Sequence, residues 1–436
     1  MALRGLIAFV LGIVLFGSSV ALAQSTTKRP QPPSQICIGS KCATTPEPSA
    51  AGALKFHPGV YPYFNYSGGT GMSRFGKDQT LIATLKPGDN VEGIAIALLW
   101  TGIDKGTTGP SYDWSVIDAY LNAVKAVGKR LWVRVQEAEL ASNASVASGR
   151  RIVPAWLISK YGIENVQANY APVPRGVAAK RYSPVVTQAY IDMFQAMAAR
   201  YDSDPSFEGV TIFEETAYQI DNSGTSVTVN TPGADYSEKA MFDNLYALMA
   251  GLRDPAKGFK TSNVQVATNY LFRASDSAAN WTDVYNHILK YRMMAGGPDS
   301  WIPSWTFPYL PLAEPQPQRG SNTVALLNPL FKRGLYADEV MRGWVKGSTD
   351  WRGKILFGPD VEATDFGGYI TRSMNPLPTL ADIWEIRGKV DRAHYFFFDI
   401  SWEYSGNYGG TAQHWSTGQY PWVKTMGKTN TTNPYQ

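Results

Sequence analysis

Two short apolar runs of this chain end on pairs of carboxylates. The run GVTIF precedes Glu214 and Glu215, and the run KILFG leads to Asp360 and Glu362. Two carboxyl groups that face each other across a cavity can cleave a glycosidic bond. One of them, kept protonated by its surroundings, donates a proton to the leaving oxygen, while the other attacks the anomeric carbon or activates water. This chemistry requires a fold that brings both runs to one cavity.

The pattern of apolar runs predicts such a fold. Runs rich in Val, Ile, Leu and aromatic residues are typical of strands that are buried on both faces of a parallel sheet. They lie at 57–66, 91–100, 129–138, 209–217, 263–272, 300–309, 353–363 and 394–404. Amphipathic helical stretches separate them, at 114–129, 185–201, 238–252, 280–293, 336–345 and 379–390.

Eight strand-like runs, with helical stretches between them, extend over roughly 370 residues, which predicts an α/β fold of the (β/α)8 TIM-barrel type. An open doubly wound sheet is the alternative, but it usually carries a glycine-rich phosphate turn after its first strand, and this sequence has none there. The largest insertion follows the third strand, at about 139–180, and includes the helical stretch RRIVPAWLISKYGI. We expect this stretch to be an extra helix or lid over the barrel.

The carboxyl ends of all strands of such a barrel meet at one face. Glu214 and Glu215 end the fourth run, whereas Asp360 and Glu362 end the seventh, so we expect both pairs at the same mouth. Side chains alternate along a strand, so adjacent glutamates face opposite ways. Sequence parity leaves open which glutamate of the fourth run faces inward, and Asp360 remains the alternative to Glu362.

The segment SPVVTQAYIDMFQAMAARYDSDPSFEGVTIFEET resembles the fourth βα region of clan A glycoside hydrolases. Those enzymes have a helix ending in Arg-Tyr, an acidic residue with a Pro, and then Gly and a strand that closes on Asn-Glu. The segment LLWTGIDKGTTGPSYDWSVIDAYLNAVKAVGKRLWVRV is similar to the second and third strands of the same clan. The resemblance spans most of residues 57–425 and fixes no single family.

The resemblance implies a retaining hydrolase of a polysaccharide that works by double displacement. Glu215 would be the general acid/base and Glu362 the nucleophile. Glu214 stands where the clan usually has the Asn that touches the sugar, so it is a substrate-binding candidate and an alternative acid. Two rival readings remain: a catalytically silent carbohydrate-binding barrel, and an inverting hydrolase, whose carboxyl groups would stand about 6.5–9.5 Å apart instead of about 5 Å.

Aromatic residues at the strand ends are candidates for stacking on sugar rings. Trp402 ends the eighth run, where clan A enzymes often place a Trp that forms the base of the cleavage subsite. Trp100 ends the second run, and Trp305 and Tyr309 belong to the sixth. In this clan a Tyr at the sixth strand end often hydrogen-bonds the nucleophile, which makes Tyr309 a candidate for that role. Ordinary core packing is the alternative for each of these aromatic residues.

Two polar residues complete the candidate substrate site. Arg134 lies on the third run, and if it faces inward it can hold a carboxylate in its ionised form. Asn65 ends the first run and can bind a sugar hydroxyl. Glu137, on the same run, faces the opposite way from Arg134 if side chains alternate, and it is expected to be structural.

Other chemistries find little support in the sequence. It contains no HExxH, no close His/Cys cluster and no Gly-x-Ser-x-Gly elbow, so we expect no metal, no cofactor and no serine esterase chemistry. The net charge is +4, and no basic run with interleaved aromatic residues is present, which argues against nucleic acid as a partner. The expected partner is a polysaccharide or oligosaccharide.

The chain is expected to have three parts. Residues 1–23 have a basic start, an apolar stretch and a small-residue cleavage site, which predicts a signal peptide. Residues 24–54 are rich in Pro, Ser, Thr and Ala and predict a disordered tether, in which Cys37 and Cys42 would form a local disulfide. Residues 55–436 form the barrel domain. We expect a secreted or periplasmic protein that is not held in a membrane once the signal is cleaved.

Overall fold

The fold is a closed barrel of eight parallel strands. The computed structural model describes residues 35–38, 41–44, 53–65, 72–88, 91–139, 151–169, 177–212, 236–267, 278–297, 351, 353–361, 394–399 and 431–436. The barrel strands are β1 Gly59–Asn65, β2 Gly93–Leu99, β3 Arg130–Gln136, β4 Phe207–Ile212, β5 Asn263–Ala267, β6 Met294–Gly297, β7 Leu356–Val361 and β8 Tyr395–Asp399. Each strand pairs with its neighbours in the chain, and β8 pairs with β1. The predicted (β/α)8 barrel is confirmed.

Helices follow the first five strands. They are α1 Met72–Ile82, α2 Ser115–Ala126, α3 Pro184–Tyr201, α4 Glu238–Leu252 and α5 Ala278–Lys290. Local sequence explains several of their ends. Pro184 opens α3 at a position where its missing N–H is not needed, and the Ser237 side chain caps α4 by accepting from the Ala240 N–H. After α2, Gly128 takes a left-handed φ of 67° that glycine adopts without strain.

Side-chain alternation along the strands divides the hydrophobic core in two. The outward residues of β3 are Leu131, Val133 and Val135, and they join a large cluster that also contains helix residues. The inner cluster fills the barrel, and its members are Tyr61, Ala95, Trp132, Met294, Leu356, Tyr395 and Phe397. This inner filling by layers of side chains is the usual interior of such barrels.

The sixth strand does not lie where the sequence predicted it. The barrel position belongs to β6, Met294–Gly297, which pairs with β5 and β7, and the predicted stretch 300–309 lies outside the described residues. The sequence of β6 is MAGG, which has little β propensity. Its residue Gly296 is required by packing, because a Cβ there would clash with the Gly358 carbonyl and the Gln265 amide.

The insertion after β3 has its own small sheet. Its antiparallel strands are Ala138–Glu139, Gln167–Asn169 and Val177–Ala179. Two short helices, Ala155–Tyr161 and Ile163–Val166, precede the second strand. The first of them confirms the extra helix that the sequence predicted in this insertion.

Both ends of the barrel domain bind to the amino-terminal side of the barrel. The Lys55 ammonium donates to the carbonyl oxygens of Asp202, Asp204 and Phe207 at 2.7–2.8 Å. At the other end of the chain, the Tyr435 hydroxyl donates to the carbonyl oxygen of Met293 at 2.5 Å. These contacts lie at the floor of the barrel, the end opposite to the carboxyl ends of the strands.

The predicted tether contains a short hairpin. Gln35–Ile38 pairs antiparallel with Lys41–Thr44, and Cys37 is in register with Cys42. This register is compatible with the local disulfide, which stays a prediction. Among the described residues there is no helix with the length and apolar character that crossing a membrane requires.

Candidate active site

The two runs that lead into the candidate carboxylates are barrel strands that end at the same face. Strand β4 ends at Ile212 and β7 ends at Val361. Glu214, Glu215 and Glu362 follow these ends and lie outside the described residues, so their roles stay predictions. The structure therefore confirms the elements that would position the carboxylates.

The contacts of Thr211 show which side chains of strand β4 face the barrel interior near the end of the strand. The hydroxyl of Thr211 accepts a hydrogen bond from the Trp132 indole N–H at 2.8 Å and donates to the Gln265 side-chain oxygen at 2.6 Å. Trp132 belongs to the inner cluster, so Thr211 faces inward. The sequence alone left this direction open.

These contacts continue into a hydrogen-bonded belt across the barrel. The Gln265 amide donates to the carbonyl oxygen of Gly358 at 2.5 Å. The belt thus links β3, β4, β5 and β7, and it passes β6 at Gly296, where a side chain would block it. Trp132, Thr211 and Gln265 are at most 1% exposed. A buried and satisfied polar network of this kind gives the site a rigid base.

Arg134 lies on the inner face of β3. It alternates with Val133 and Val135, which face the helices, and it has the parity of the inner residue Trp132. Its side chain is fully buried, with 0% exposure. A guanidinium at this place favours the ionised form of any carboxylate near it. The inward orientation that the sequence left open is therefore the observed one.

Trp100 has the surroundings of a core residue. It opens the short helix Trp100–Ile103, is 0% exposed and meets the ring of Tyr190 edge to face, with ring centroids 5.0 Å apart. It belongs to the cluster between barrel and helices. The core-packing alternative thus describes Trp100, and we correct its assignment as a sugar-contacting residue.

The other predicted binding residues have less structural description. Asn65 is the last residue of β1, as predicted. Trp305, Tyr309 and Trp402 lie outside the described residues. Trp305 and Tyr309 come after β6, Met294–Gly297, in the sequence, and their roles stay predictions.

A buried ion pair fixes the insertion to the end of β3. Arg181 pairs with Glu137, and both side chains are at most 4% exposed. The Tyr190 hydroxyl lies 2.9 Å from the Glu137 carboxylate and 2.7 Å from the Val135 carbonyl oxygen. Glu137 therefore has the structural role that its parity predicted.

A second anchor joins the insertion to the segment after β2. Asp104 accepts hydrogen bonds from the backbone N–H groups of Gly106 and Ser111, both at 3.0 Å. Its other carboxylate oxygen accepts from the Trp156 indole N–H at 2.8 Å. Trp156 lies in the helix Ala155–Tyr161, so the described part of the insertion is held at the carboxyl ends of both β2 and β3.

A perturbed acid that the sequence did not single out is found far from this site. Burial raises the pKa of the Asp78 carboxyl to about 7, although a hydrogen bond from the Tyr120 hydroxyl at 2.6 Å acts in the opposite direction. Asp78 lies on α1 and Tyr120 on α2, so this pair belongs to the helix layer. Within the described part of the chain, no cluster of His, Cys, Asp and Glu could hold a metal ion.

Comparison with known proteins supports the fold. No protein-family model and no curated protein matches this chain. The catalytic domain of β-amylase from Paenibacillus polymyxa is similar in structure, with a TM-score of 0.50 and 11% sequence identity over 86% of this chain and 98% of that chain. At this identity the likeness shows the barrel fold.

Two further solved structures are similar at lower scores. Endo-glycoceramidase II from Rhodococcus sp. has a TM-score of 0.44 and 11% identity, over 80% of this chain and 76% of that chain. GH5_18 from Streptomyces cattleya, in complex with GlcNAc, has a TM-score of 0.43 and 12% identity, over 80% of this chain and 71% of that chain.

Proposed function

We propose that this protein is an exported glycoside hydrolase that cleaves O-glycosidic bonds of a polysaccharide with retention. Glu215 is the general acid/base and Glu362 is the nucleophile. The observation that carries the proposal is the closed barrel in which β4 and β7, the strands that lead into these two glutamates, end at one face. Active sites of (β/α)8 barrels lie at that face.

The inward side chain of Thr211 supports Glu215 over Glu214. Thr211 is bonded to residues on both neighbouring strands inside the barrel. Glu215 has the same parity as Thr211, whereas Glu214 has the parity of the outward Ile212, a residue of the outer cluster. Side-chain alternation thus favours Glu215 as the acid.

In the first step a Glu362 carboxylate oxygen attacks the anomeric carbon. The bond from that carbon to the leaving oxygen breaks, and the Glu215 proton passes to the leaving oxygen. In the second step Glu215, now ionised, takes a proton from water as the water oxygen attacks the same carbon. The ester to Glu362 breaks, and the sugar leaves with its original configuration.

Arg134 provides a permanent positive charge inside the barrel, two residues before the end of β3. A nearby cation lowers the pKa of a carboxyl, so this charge favours the ionised carboxylate that a retaining mechanism needs.

The test is reducing-end release from a broad polysaccharide panel by the wild type, Glu362→Gln and Glu215→Gln, with Glu214→Gln as matched control. We expect losses of about 100-fold or more for the first two variants and a smaller loss for the control. Release that survives in Glu362→Gln would move the nucleophile elsewhere, with Asp360 the first alternative. Glycan binding without release by any protein would show a binding barrel.

The anomeric configuration of the first product separates the two hydrolytic mechanisms. Proton NMR during the first minutes of reaction should show the configuration of the substrate bond, because two displacements restore it. The opposite anomer would establish an inverting hydrolase on the same carboxylates.

Export is tested separately. Amino-terminal sequencing of the protein from the medium or periplasm should begin at Gln24, after the Ala21-Leu22-Ala23 site. A protein that keeps residue 1 in both fractions would contradict the signal peptide.

A further inference from the structure

Strand β3 ends in a polar residue on the inner face of the barrel. Gln136 is the last residue of this strand, at its carboxyl end. Like Trp132, which belongs to the inner cluster, it alternates with Val133 and Val135, which belong to the outer cluster. Because side chains alternate along a strand, the Gln136 side chain lies on the interior side. It is therefore an inward polar group at the face where barrels of this class carry their active sites.

The amide of Gln136 is buried, and its oxygen has no hydrogen-bond donor. The residue is only 8% exposed, and within the part of the chain that the structure describes the Oε1 atom has no hydrogen-bond partner. The residue paired with it on β2 is Leu99, whose side chain is apolar. A buried carbonyl oxygen without a donor is costly, and native proteins keep few of them. Such a group is expected where a ligand completes the hydrogen bond.

A second inward glutamine shows that this barrel can satisfy a buried amide. Gln265 on β5 is 0% exposed. Its side chain accepts a hydrogen bond from the Thr211 hydroxyl at 2.6 Å and donates one to the Gly358 carbonyl oxygen at 2.5 Å. Burial on the inner face therefore does not by itself leave an amide oxygen unbonded. The unbonded oxygen is a property of the position of Gln136 at the end of its strand.

The backbone on both sides of Gln136 is held from outside the barrel. The Val135 carbonyl oxygen accepts a hydrogen bond from the Tyr190 hydroxyl of α3 at 2.7 Å. The Glu137 carbonyl oxygen accepts one from the Ala179 N–H of the insertion at 2.7 Å. A group on a backbone that is already fixed loses little conformational freedom when it binds a ligand. These contacts thus preorganise the amide.

We propose that Gln136 is a substrate-binding residue whose amide oxygen accepts a hydrogen bond from a hydroxyl group of the carbohydrate. A neutral amide oxygen suits a neutral hydroxyl donor, and a carbohydrate offers many of these. The nature of this ligand rests on the proposed function, whereas the unbonded oxygen in the free protein does not. Gln136 contributes to affinity and not to bond cleavage, because an amide transfers no proton to or from the substrate.

The variant Gln136→Met tests the state of the amide in the free protein. Methionine has a similar length and carries no strong hydrogen-bonding group. We expect the unfolding equilibrium constant to fall on the order of 10-fold, because an unbonded oxygen is no longer buried. The matched control is Gln265→Met, which removes an amide with both of its bonds. Its unfolding equilibrium constant should rise on the order of 100-fold, or the variant should fail to fold. Urea unfolding measures both changes.

Steady-state kinetics test the role of the amide toward the carbohydrate. The probe is the panel polysaccharide from which the wild type releases most reducing ends. For Gln136→Met we expect KM to rise about 10-fold and kcat to stay within about 2-fold of the wild type, because a bond made equally in the ground state and the transition state affects binding alone. A more stable protein that binds its substrate more weakly is typical of a binding residue. A merely structural glutamine would not give this combination.

Two results would overturn the proposal. A loss of stability in Gln136→Met as large as that in Gln265→Met would show that the protein itself satisfies the amide. A KM equal to that of the wild type would show that no substrate hydroxyl bonds to it. If the wild type cleaves no polysaccharide, the proposed function fails, and electrophoretic retention in gels that contain the panel polysaccharides decides the role of Gln136. Stronger retention of the wild type than of Gln136→Met would support binding, and equal retention would refute it.

Discussion

The hydroxyl of Thr211 makes the base of the candidate site rigid, and its removal gives a sharp prediction. Thr211→Val keeps the shape of the side chain and replaces the hydroxyl by a methyl group. The Trp132 indole N–H then loses its acceptor at 2.8 Å, and the Gln265 oxygen loses its donor at 2.6 Å. Both partners are fully buried, so water cannot replace the lost bonds without a rearrangement of the barrel.

The expected cost follows from these two orphaned groups. A buried polar group without a partner costs about 1–3 kcal/mol. The added methyl group returns part of this through apolar burial, about 0.8 kcal/mol. We therefore expect Thr211→Val to lower the free energy of unfolding by about 2–4 kcal/mol. In a chain of this length each kcal/mol lowers Tm by roughly 1–2 °C.

The assay compares thermal and urea unfolding of the wild type, Thr211→Val and Thr211→Ser. The serine variant keeps the hydroxyl and loses a methyl group, so it should stay within about 1 kcal/mol of the wild type. A valine variant as stable as the wild type would refute the reasoning. A serine variant that loses as much as the valine variant would also refute it, because packing and not hydrogen bonding would then be the cause.

Two further predictions concern Asp78 and Gly296. Burial raises the pKa of Asp78 from 3.8 to about 7, so the folded state binds this proton more tightly and the wild type loses stability as pH rises from about 4 to 7. In urea unfolding at pH 4 and pH 8, Asp78→Asn should not show this loss of stability, and above pH 7 it should be more stable than the wild type by up to about 4 kcal/mol. An equal change in the free energy of unfolding between the two pH values in both proteins would contradict this. Gly296→Ala should lower Tm by several degrees or prevent folding, because its Cβ would clash with backbone, whereas Gly76→Ala on α1, which has open space, should be neutral or stabilising. Equal Tm values for the two alanine variants would contradict the packing argument.

Most of the barrel could be predicted from sequence because its strands are buried on both faces. β2 and β3 are almost entirely buried, so their apolar runs are continuous and easily recognised. The sixth strand, MAGG, does not follow this pattern, because Gly296 is required by close packing against Gln265 and Gly358, which are distant in sequence. The aromatic run at 300–309 has stronger β propensity and was therefore chosen instead.

The direction of side chains at the site could not be read from sequence. The parity of Glu214 and Glu215 was clear, but inside and outside were not, since both faces of a barrel strand are apolar. The contacts of Thr211 with β3 and β5 show that this residue of β4 faces inward. Likewise, a tryptophan at a strand end looks the same whether it meets a sugar or a helix, and only the contact with Tyr190 identifies Trp100 as a core residue.

The barrel has different chemistry at its two ends, and this indicates the direction of substrate approach. The floor is filled: Tyr61, Trp132 and Tyr395 pack together inside it, and Lys55 and Tyr435 bind to its rim. Toward the carboxyl ends of the strands, the interior changes to hydroxyl, amide and guanidinium groups. Aromatic side chains fill the barrel at its floor, so we expect the proposed substrate to approach from the carboxyl ends, where β4 and β7 lead into the glutamates.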